Sequence, residues 1–585
     1  MILDRIDTPN DLKTLSIDEM KILANEMREL IIKKVNEIGG HMAPNLGIVE
    51  TTIAMHYVFN SPIDKFVFDV SHQCYPHKML TERKEGFLKK ENYYKFTGYT
   101  APEESVHDLF KIGHTSTSVS LGVGVAKARD LKGEKNNVIA LIGDGSLSGG
   151  EAFEGLNNGA TLNSNFIVIV NDNDMSIAEN YGGLYENLKL LRETKGSAEL
   201  NFFKTMGYDY LYLDDGNDIE KLIELFNKIK DINHPIVLHI KTLKGKGLEP
   251  AEKNKEMFHW TMPHILDNEK IDFPKNNNDY IREYLLNKAK EDKTLVAITA
   301  GTPGAVGFTK DFRYELNEQY TDVAISEPHA IAYVSGLAKS GAKPVFSVLS
   351  SFVQRTYDQL SQDLALNNSP ATLLINWAGI SGQDSTHLGI FDIPLISNIP
   401  NIVYLAPTNR EELFKMLDYS IEQNNHPIAI RIPLVTLKEK GVEDKTDYSI
   451  LNKFKTLNKG ENIAIIGVGD FYELGEKVQE KLNKKGLNPT MINPIYLTGL
   501  DEDVLNKLKE NHKIVITLEN GVLDGGFGEK ISRFYSNSDM KVLNYGAKKE
   551  FTDRIPMDKL YEQYRLVPDL IVEDIINTIN IKATV

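Results

Sequence analysis

Residues 137–145 read NVIALIGDG, and residues 165–176 read NFIVIVNDNDMS. In each, an apolar run rich in Val and Ile stops abruptly at small and acidic residues. Such runs suit strands covered on both faces, as in a parallel α/β sheet. At the carboxyl edge of that sheet, where ligands bind, the first run delivers Asp144 and the second Asn173, 29 residues later. A carboxylate and an amide oxygen placed there suit a hard cation such as Mg2+, which takes about six oxygens and keeps some from substrate phosphates. Gly143 and Gly145 let the backbone approach a diphosphate closely. Gly-Asp-Gly alone is also an ordinary turn; the strand-closing Asn separates the two readings.

The same pattern recurs outward from this pair. PIVLHI (235–240) joins it, and a second series comprises TLVAIT (294–299), TDVAIS (321–326), PVFSVL (344–349), ATLLIN (371–376) and PIAIRI (427–432). NIAIIG (462–467) and KIVITL (513–518) make a third. Between strands the period changes to that of helices: Met20, Leu23, Met27, Leu30, Ile31 and Val35 form one stripe over 17–38, stopped by Gly39 and Gly40. Polar stretches interrupt the series at 250–292, where DNEKIDFPKNNND (267–279) reads as a linker, and at 436–461. The expectation is an α/β chain of three parallel-sheet domains, near residues 1–265, 290–435 and 455–585.

Composition narrows the function classes. A chain of 585 residues implies several domains. Its 41% apolar and 25% charged residues are those of a globular protein. No run approaches the roughly 18 apolar residues that span a bilayer, and the N-terminus MILDRIDTPNDLKTLS lacks the apolar core of a signal peptide. The single cysteine, Cys74, supports neither a disulfide framework nor a thiolate zinc site. A cytoplasmic protein without membrane partners is expected. The net charge of −16 disfavours nucleic acid while leaving room for a local basic pocket that takes small anions.

Gly-Asp-Gly followed by Asn at this distance resembles the thiamine-diphosphate signature of transketolase-like enzymes. Further stretches are similar to the 1-deoxy-D-xylulose 5-phosphate synthase family: GGHMAPNLG (39–47), DVSHQCYPHK (69–78), GHTSTSVSLGVG (113–124), KGKGLEPAE (244–252), FHW (258–260), DVAISEPHA (322–330), SSFVQRTYDQ (350–359), STHLGIFD (385–392) and ENGVLDGGFG (519–528). The resemblance implies a transketolase-like fold, thiamine diphosphate and Mg2+ as cofactors, and a homodimer. It implies that Asp144, Asn173 and the Met175 carbonyl hold the metal. His72, Gly113, His114, Thr115, Gly145, Ser146 and Lys244 would contact the cofactor, mostly at its diphosphate.

Glu327 matches the family's cofactor-activating glutamate; read alone, it is a helix-start charge. By the same resemblance His41, His72, His259 and His387 surround the reacting carbon and exchange protons with substrate oxygens. Asp384 would hold His387 or meet acceptor hydroxyls, and Arg355 would take the carboxylate of pyruvate. His56, His77, His107, His234 and His264 read as structural. KGKG (244–247) lacks P-loop spacing, and GVGVAKA (122–128) has only the first two glycines of a dinucleotide fingerprint.

The implied activity is decarboxylating carboligation. The two-carbon unit of pyruvate joins an aldehyde acceptor such as glyceraldehyde 3-phosphate, supplying isoprenoid and thiamine precursors. The alternatives are the same donor with a different or unphosphorylated acceptor, a transketolase, and a 2-oxoacid dehydrogenase decarboxylating component. The sequence departs from the family around the acceptor. Trp377 and Leu434 stand where the family has phosphate-binding arginines, Leu248 and Leu349 where it has tyrosines, and Pro328 where it has glutamine. The segment 382–387 is one residue short.

Overall fold

The computed structural model describes residues 1–267 and 274–583, so residues 268–273 of the expected linker lie outside the described residues. The chain divides into two compact units, Met1–Asp272 with Val323–Ser326, and Phe273–Asp322 with Glu327–Val585.

The first unit holds a five-stranded parallel sheet. Its strands are β1 (Lys65–Phe68), β2 (Val138–Gly143), β3 (Phe166–Asp172), β4 (Asp209–Leu213) and β5 (Pro235–Lys241), in the order β1-β2-β3-β5-β4. The apolar runs in β2 and β3 are continuous because both faces are covered. Val138, Ala140, Ile142, Val168 and Val170 enter one core cluster, and Ile139, Leu141, Ile167 and Ile169 enter another, the two-residue alternation of a pleated strand. The helix Ile17–Ile38 starts with a capping box between Ser16 and Glu19, and Gly39 at φ 79° follows it. Of its expected stripe, Met20, Leu23, Met27, Ile31 and Val35 are buried, while Leu30 is half-buried.

The second unit contains two sheets. One is fully parallel: β6 (Leu295–Thr299), β7 (Tyr320–Asp322), β8 (Lys343–Leu349), β9 (Thr372–Ala378), β10 (Val403–Leu405) and β11 (Ile428–Pro433), ordered β10-β11-β9-β8-β6-β7. The other is mixed: β12 (Lys455–Asn458), β13 (Asn462–Gly467), β14 (Thr490–Asn493), β15 (His512–Val522) and β16 (Lys541–Ala547), with β12 as an antiparallel edge. All the parallel pairings obey the α/β pattern expected from the apolar runs.

Two differences from the sequence reading have clear causes. The run TDVAIS is a strand only to Asp322. There the Asp322 carboxylate accepts hydrogen bonds from the Gly301 N–H and the Thr299 hydroxyl, and Ala324 at φ 60° turns the chain away. The strands β1, β4, β10, β12, β14 and β16 carry no distinctive run. They are short or lie toward sheet edges, and β4 is half-exposed along its length. Among the described residues, no helix is long and apolar enough to cross a membrane.

Candidate active site

In the first unit, the ends of β2 and β3 bring Asp144 and Asn173 to the same carboxyl edge, through the pairing of Gly143 with Asn171. The Asp144 Oδ2 accepts hydrogen bonds from the Met175 N–H (3.0 Å) and the Asn180 amide (2.8 Å). Burial, reinforced by the nearby Asp172 charge, raises the Asp144 carboxyl to about 7. Two amide oxygens, Asn173 Oδ1 and Asn180 Oδ1, are buried without a hydrogen-bond partner. Among the described residues no three or more His, Cys, Asp or Glu are arranged to hold a metal. One carboxylate beside two unpartnered amide oxygens is nevertheless a hard-cation donor set, so these residues fit Mg2+. Asn180 was not singled out from sequence, because nothing in its spacing marks it.

The backbone around this edge is closely packed against neighbouring serines. A Cβ at Gly145 would lie 2.9 Å from Ser176, and one at Gly149 would collide with the Ser116 hydroxyl. Ser116 Oγ donates to the Ser146 carbonyl (2.8 Å), which ties the segment carrying Gly113, His114 and Thr115 to the Gly145–Ser148 turn. The buried Asp69 fixes that segment. Its two oxygens accept from the Ser116 and Ser118 N–H groups at the start of the helix Ser118–Lys132. The discounted GVGVAKA stretch lies inside this helix. Asp69 is a supporting residue that the sequence reading missed, although it opens the matched stretch DVSHQCYPHK.

Three of the predicted histidines cluster here. Ring centroids of His41 and His72 are 5.0 Å apart, His72 and His259 5.2 Å, and His41 and His259 5.7 Å. Lys244 Nζ donates to the Ser176 carbonyl (2.5 Å) and lies 3.1 Å from His259 Nδ1. Burial pushes the Lys244 ammonium down to about 7. Burial also holds His259 well below the ordinary imidazole range, with Lys244 adding to the effect. His259 is therefore neutral, and an anion beside Lys244 would restore that residue's charge.

The remaining predicted residues lie in the second unit. Glu327 opens the helix Glu327–Lys339 and is buried; its Oε2 has no hydrogen-bond partner and lies 3.9 Å from Arg355 Nη1. Burial raises this carboxyl, opposed by the Arg355 charge. A buried carboxyl with a spare oxygen and an increased affinity for its proton fits a ligand ring nitrogen. Arg355 stands against Glu327, a neighbour that the sequence did not suggest. His387 lies edge-on to Phe352, with ring centroids 5.6 Å apart. Burial lowers its pKa, opposed by Asp384. Asp384 reaches His387 indirectly: its Oδ1 accepts from the Thr386 hydroxyl (3.1 Å), which lies 2.8 Å from His387 Nδ1. Thr386 is thus a second supporting residue unmarked in sequence.

Trp377 lies within β9 and Leu434 directly follows β11. The two strands are adjacent and parallel, with Ala378 paired to Pro433, so the two residues stand near each other but two positions out of register. Trp377 is 37% exposed at φ 55°, and Leu434 is 40% exposed. Of the two leucines that stand where the family has tyrosines, Leu349 is buried and Leu248 packs partly buried against the first unit's core.

Comparison with known proteins gives matches along most of the chain. A family model described as 1-deoxy-D-xylulose-5-phosphate synthase matches residues 3–201 and 189–242. Models of the transketolase pyrimidine binding domain and C-terminal domain match 275–438 and 452–571. A 1-deoxy-D-xylulose-5-phosphate synthase of Caldanaerobacter subterraneus is 36% identical, covering 98% of this chain and 99% of its own. That of Lachnoclostridium phytofermentans is 37% identical, covering 98% of each chain. A solved transketolase from Pichia stipitis aligns with 97% of this chain and 98% of its own, at 16% identity and a TM-score of 0.46, too loose a likeness to carry an argument. With relatives aligned over almost their full length and a family match on each of its three sheets, the chain belongs to the 1-deoxy-D-xylulose-5-phosphate synthase family, transferases that use thiamine diphosphate and a divalent metal ion.

Proposed function

We propose that the chain joins the two-carbon unit of pyruvate to an aldehyde, in the manner of its family. The carboxylate carbon leaves as CO2, a carbon–carbon bond forms to the aldehyde carbon, and the aldehyde oxygen takes up one proton. When bound, thiamine diphosphate supplies the electron sink beside the carbonyl carbon. Asp144, Asn173 and the Met175 carbonyl would hold the metal, with Asn180 added from its unpartnered oxygen. Gly113, His114, Thr115, Gly145, Ser146 and Lys244 would cradle the diphosphate. Glu327 would hold a proton at the aminopyrimidine ring; its buried, unpartnered Oε2 is the observation that carries the reading.

His41, His72, His259 and His387 would move protons at substrate oxygens. Neutral imidazoles can both donate and accept, and the lowered pKa values of His259 and His387 favour that form. Arg355 would take the pyruvate carboxylate, and Asp384 would orient His387 through Thr386. The domain limits 1–265, 290–435 and 455–585, a cytoplasmic location and a homodimer belong to the same proposal, as does the supply of isoprenoid and thiamine precursors.

A second reading concerns the acceptor alone. Trp377 and Leu434 present adjacent exposed apolar side chains at the carboxyl edge of their sheet. This favours an acceptor without a phosphate, or one whose phosphate binds elsewhere. The deciding experiment measures CO2 release from pyruvate with saturating thiamine diphosphate and Mg2+, with and without phosphorylated and unphosphorylated aldehydes. Acceptor-stimulated release with an α-hydroxyketone product is expected. No release from pyruvate, with turnover of a ketose phosphate donor instead, would give the transketolase alternative.

A further inference from the structure

The segment from Trp377 to Asp392 joins β9 to a short helix and carries Asp384 and His387, yet has almost no regular structure. It is held at several points. Gly379 N–H donates to the Gly389 carbonyl (2.8 Å), and the Ser350 hydroxyl also reaches that carbonyl (3.0 Å). Most of the other anchors come from the third sheet and the chain after it. Asn520 in β15 accepts from the Ile380 N–H (2.7 Å) and donates to Asp470 (2.7 Å). Its amide lies so close to Gly379 that a Cβ there would stand 2.5 Å from Nδ2. Val522 N–H donates to the Ile390 carbonyl (3.0 Å). Arg431, buried in β11, pairs with Asp392 through Nε (2.6 Å) and Nη2 (3.2 Å) and gives Nη2 to the Asn520 carbonyl (2.6 Å).

The shortened stretch 382–387 has its own clamp. After β16, the Arg554 N–H donates to the Gln383 carbonyl (2.9 Å), and Asp553 Oδ1 accepts from the Ser385 N–H (3.1 Å). The Ile555 carbonyl lies 2.9 Å from where a Gly382 Cβ would be, so only glycine passes there without displacement. Asp553 thus grips the residue between Asp384 and Thr386, the two groups that set the His387 ring.

We infer that Asp553 is a positioning residue: together with Asn520 at Ile380, it lets the third α/β layer hold Asp384, Thr386 and His387 in register for the acceptor aldehyde. The inference rests on the proposed proton role of His387, and takes the substrate oxygen that it serves to be that of the acceptor aldehyde. Asp553 touches no reacting atom in this account; it acts through the Ser385 backbone. A side chain that fixes an irregular segment this way governs how well the acceptor is met, and leaves the pyruvate step to residues elsewhere.

The test compares Asp553→Ala with Asp553→Asn, which is uncharged but keeps the accepting Oδ1. Three quantities are read on the full-length holoenzyme: CO2 release from pyruvate alone, KM for the aldehyde acceptor, and hydrogen–deuterium exchange of the peptide spanning 379–389. Asp553→Ala is expected to speed exchange in that peptide and to raise the acceptor KM severalfold to about tenfold, the scale of one hydrogen bond. Release from pyruvate alone should stay within about twofold, because the groups serving that step are untouched. Asp553→Asn should restore both the exchange rate and the acceptor KM. Unchanged exchange in Asp553→Ala, an Asn variant as impaired as the Ala variant, or equal loss in both half-reactions would overturn the inference. A wild-type enzyme that releases no CO2 from pyruvate even with an aldehyde present would defeat the carboligase reading instead; the exchange comparison would then decide the positioning role by itself.

Discussion

Returning arginines to positions 377 and 434 should shift the enzyme toward phosphorylated acceptors. The two sites lie at the carboxyl ends of neighbouring strands, and both side chains are more than a third exposed, so guanidinium groups there keep much of their hydration. Arg is no larger than Trp, and the left-handed backbone at Trp377 is no harder for Arg than for the residue already there. Each charge-assisted hydrogen bond to a phosphate contributes about 1.5–3 kcal/mol. Two guanidiniums at such sites stand farther apart than the roughly 5 Å of directly paired strand residues, so they repel by at most about 1 kcal/mol in a near-aqueous dielectric. The net gain is about 2–5 kcal/mol, or roughly 30-fold to several thousandfold in discrimination.

The assay is the ratio of kcat/KM for glyceraldehyde 3-phosphate to that for glyceraldehyde, with pyruvate saturating, in wild type and Trp377→Arg/Leu434→Arg. Taking the ratio cancels losses in folding or cofactor loading, which scale both substrates alike. A change below about threefold would show that these side chains do not face the acceptor phosphate. A wild-type ratio already in the several hundreds would refute the premise itself, since the phosphate would then be bound by other residues.

Three further outcomes are expected. Glu327→Ala should leave the protein folded and cofactor affinity, followed by calorimetry, little changed, while kcat falls about 10²–10⁴-fold; near-normal turnover at saturating cofactor would remove the carboxyl from its role. Lys244 loses its proton near pH 7 without a ligand. Cofactor binding at pH 8 should therefore take up a proton and weaken as pH rises through 7; calorimetry in buffers of different ionisation enthalpy should find no such uptake in Lys244→Met. Burial raises the Glu519 carboxyl from 4.5 to about 7, although the Phe527 and Gly528 N–H groups donate to it. The native state holds that proton more tightly than the unfolded chain. The wild type should thus lose about 3 kcal/mol from this group as pH rises from about 4.5 to 7, and urea denaturation of Glu519→Gln should show a flatter profile over that window.

The long apolar runs made β2, β3, β5, β6, β8, β9, β11, β13 and β15 legible in the sequence, because burial on both faces leaves no polar position to blur them. The three-residue β10 and the half-exposed β4 gave no such signal. The extent of TDVAIS was misleading, since its last four residues are as apolar as a strand but serve another core. At the site, Asp144, Asn173, Lys244 and the histidines stand in matched stretches. Their supports are harder to read. Thr386 matters because its hydroxyl falls between Asp384 and His387, Asn180 because its amide reaches Asp144 across a loop, and Asp553 because it meets Ser385 from 168 residues away. Contacts of that range leave no period or spacing in the chain.

Val323–Ser326 has a consequence for modularity. These four residues belong to the first compact unit: Ala324 enters its core, and the Ile325 N–H donates to the Ser148 hydroxyl (3.0 Å) beside the Gly145–Ser148 turn. Glu327 is the next residue along. A polypeptide ending near residue 272 would therefore lack part of its own packing, and one beginning there would carry an apolar stretch with nothing to bury it. The family's sequence modules can be drawn as separate blocks, but this chain cannot be cut at their border into two self-sufficient proteins. Any split version, natural or engineered, would have to provide Val323–Ser326 to the first unit's core.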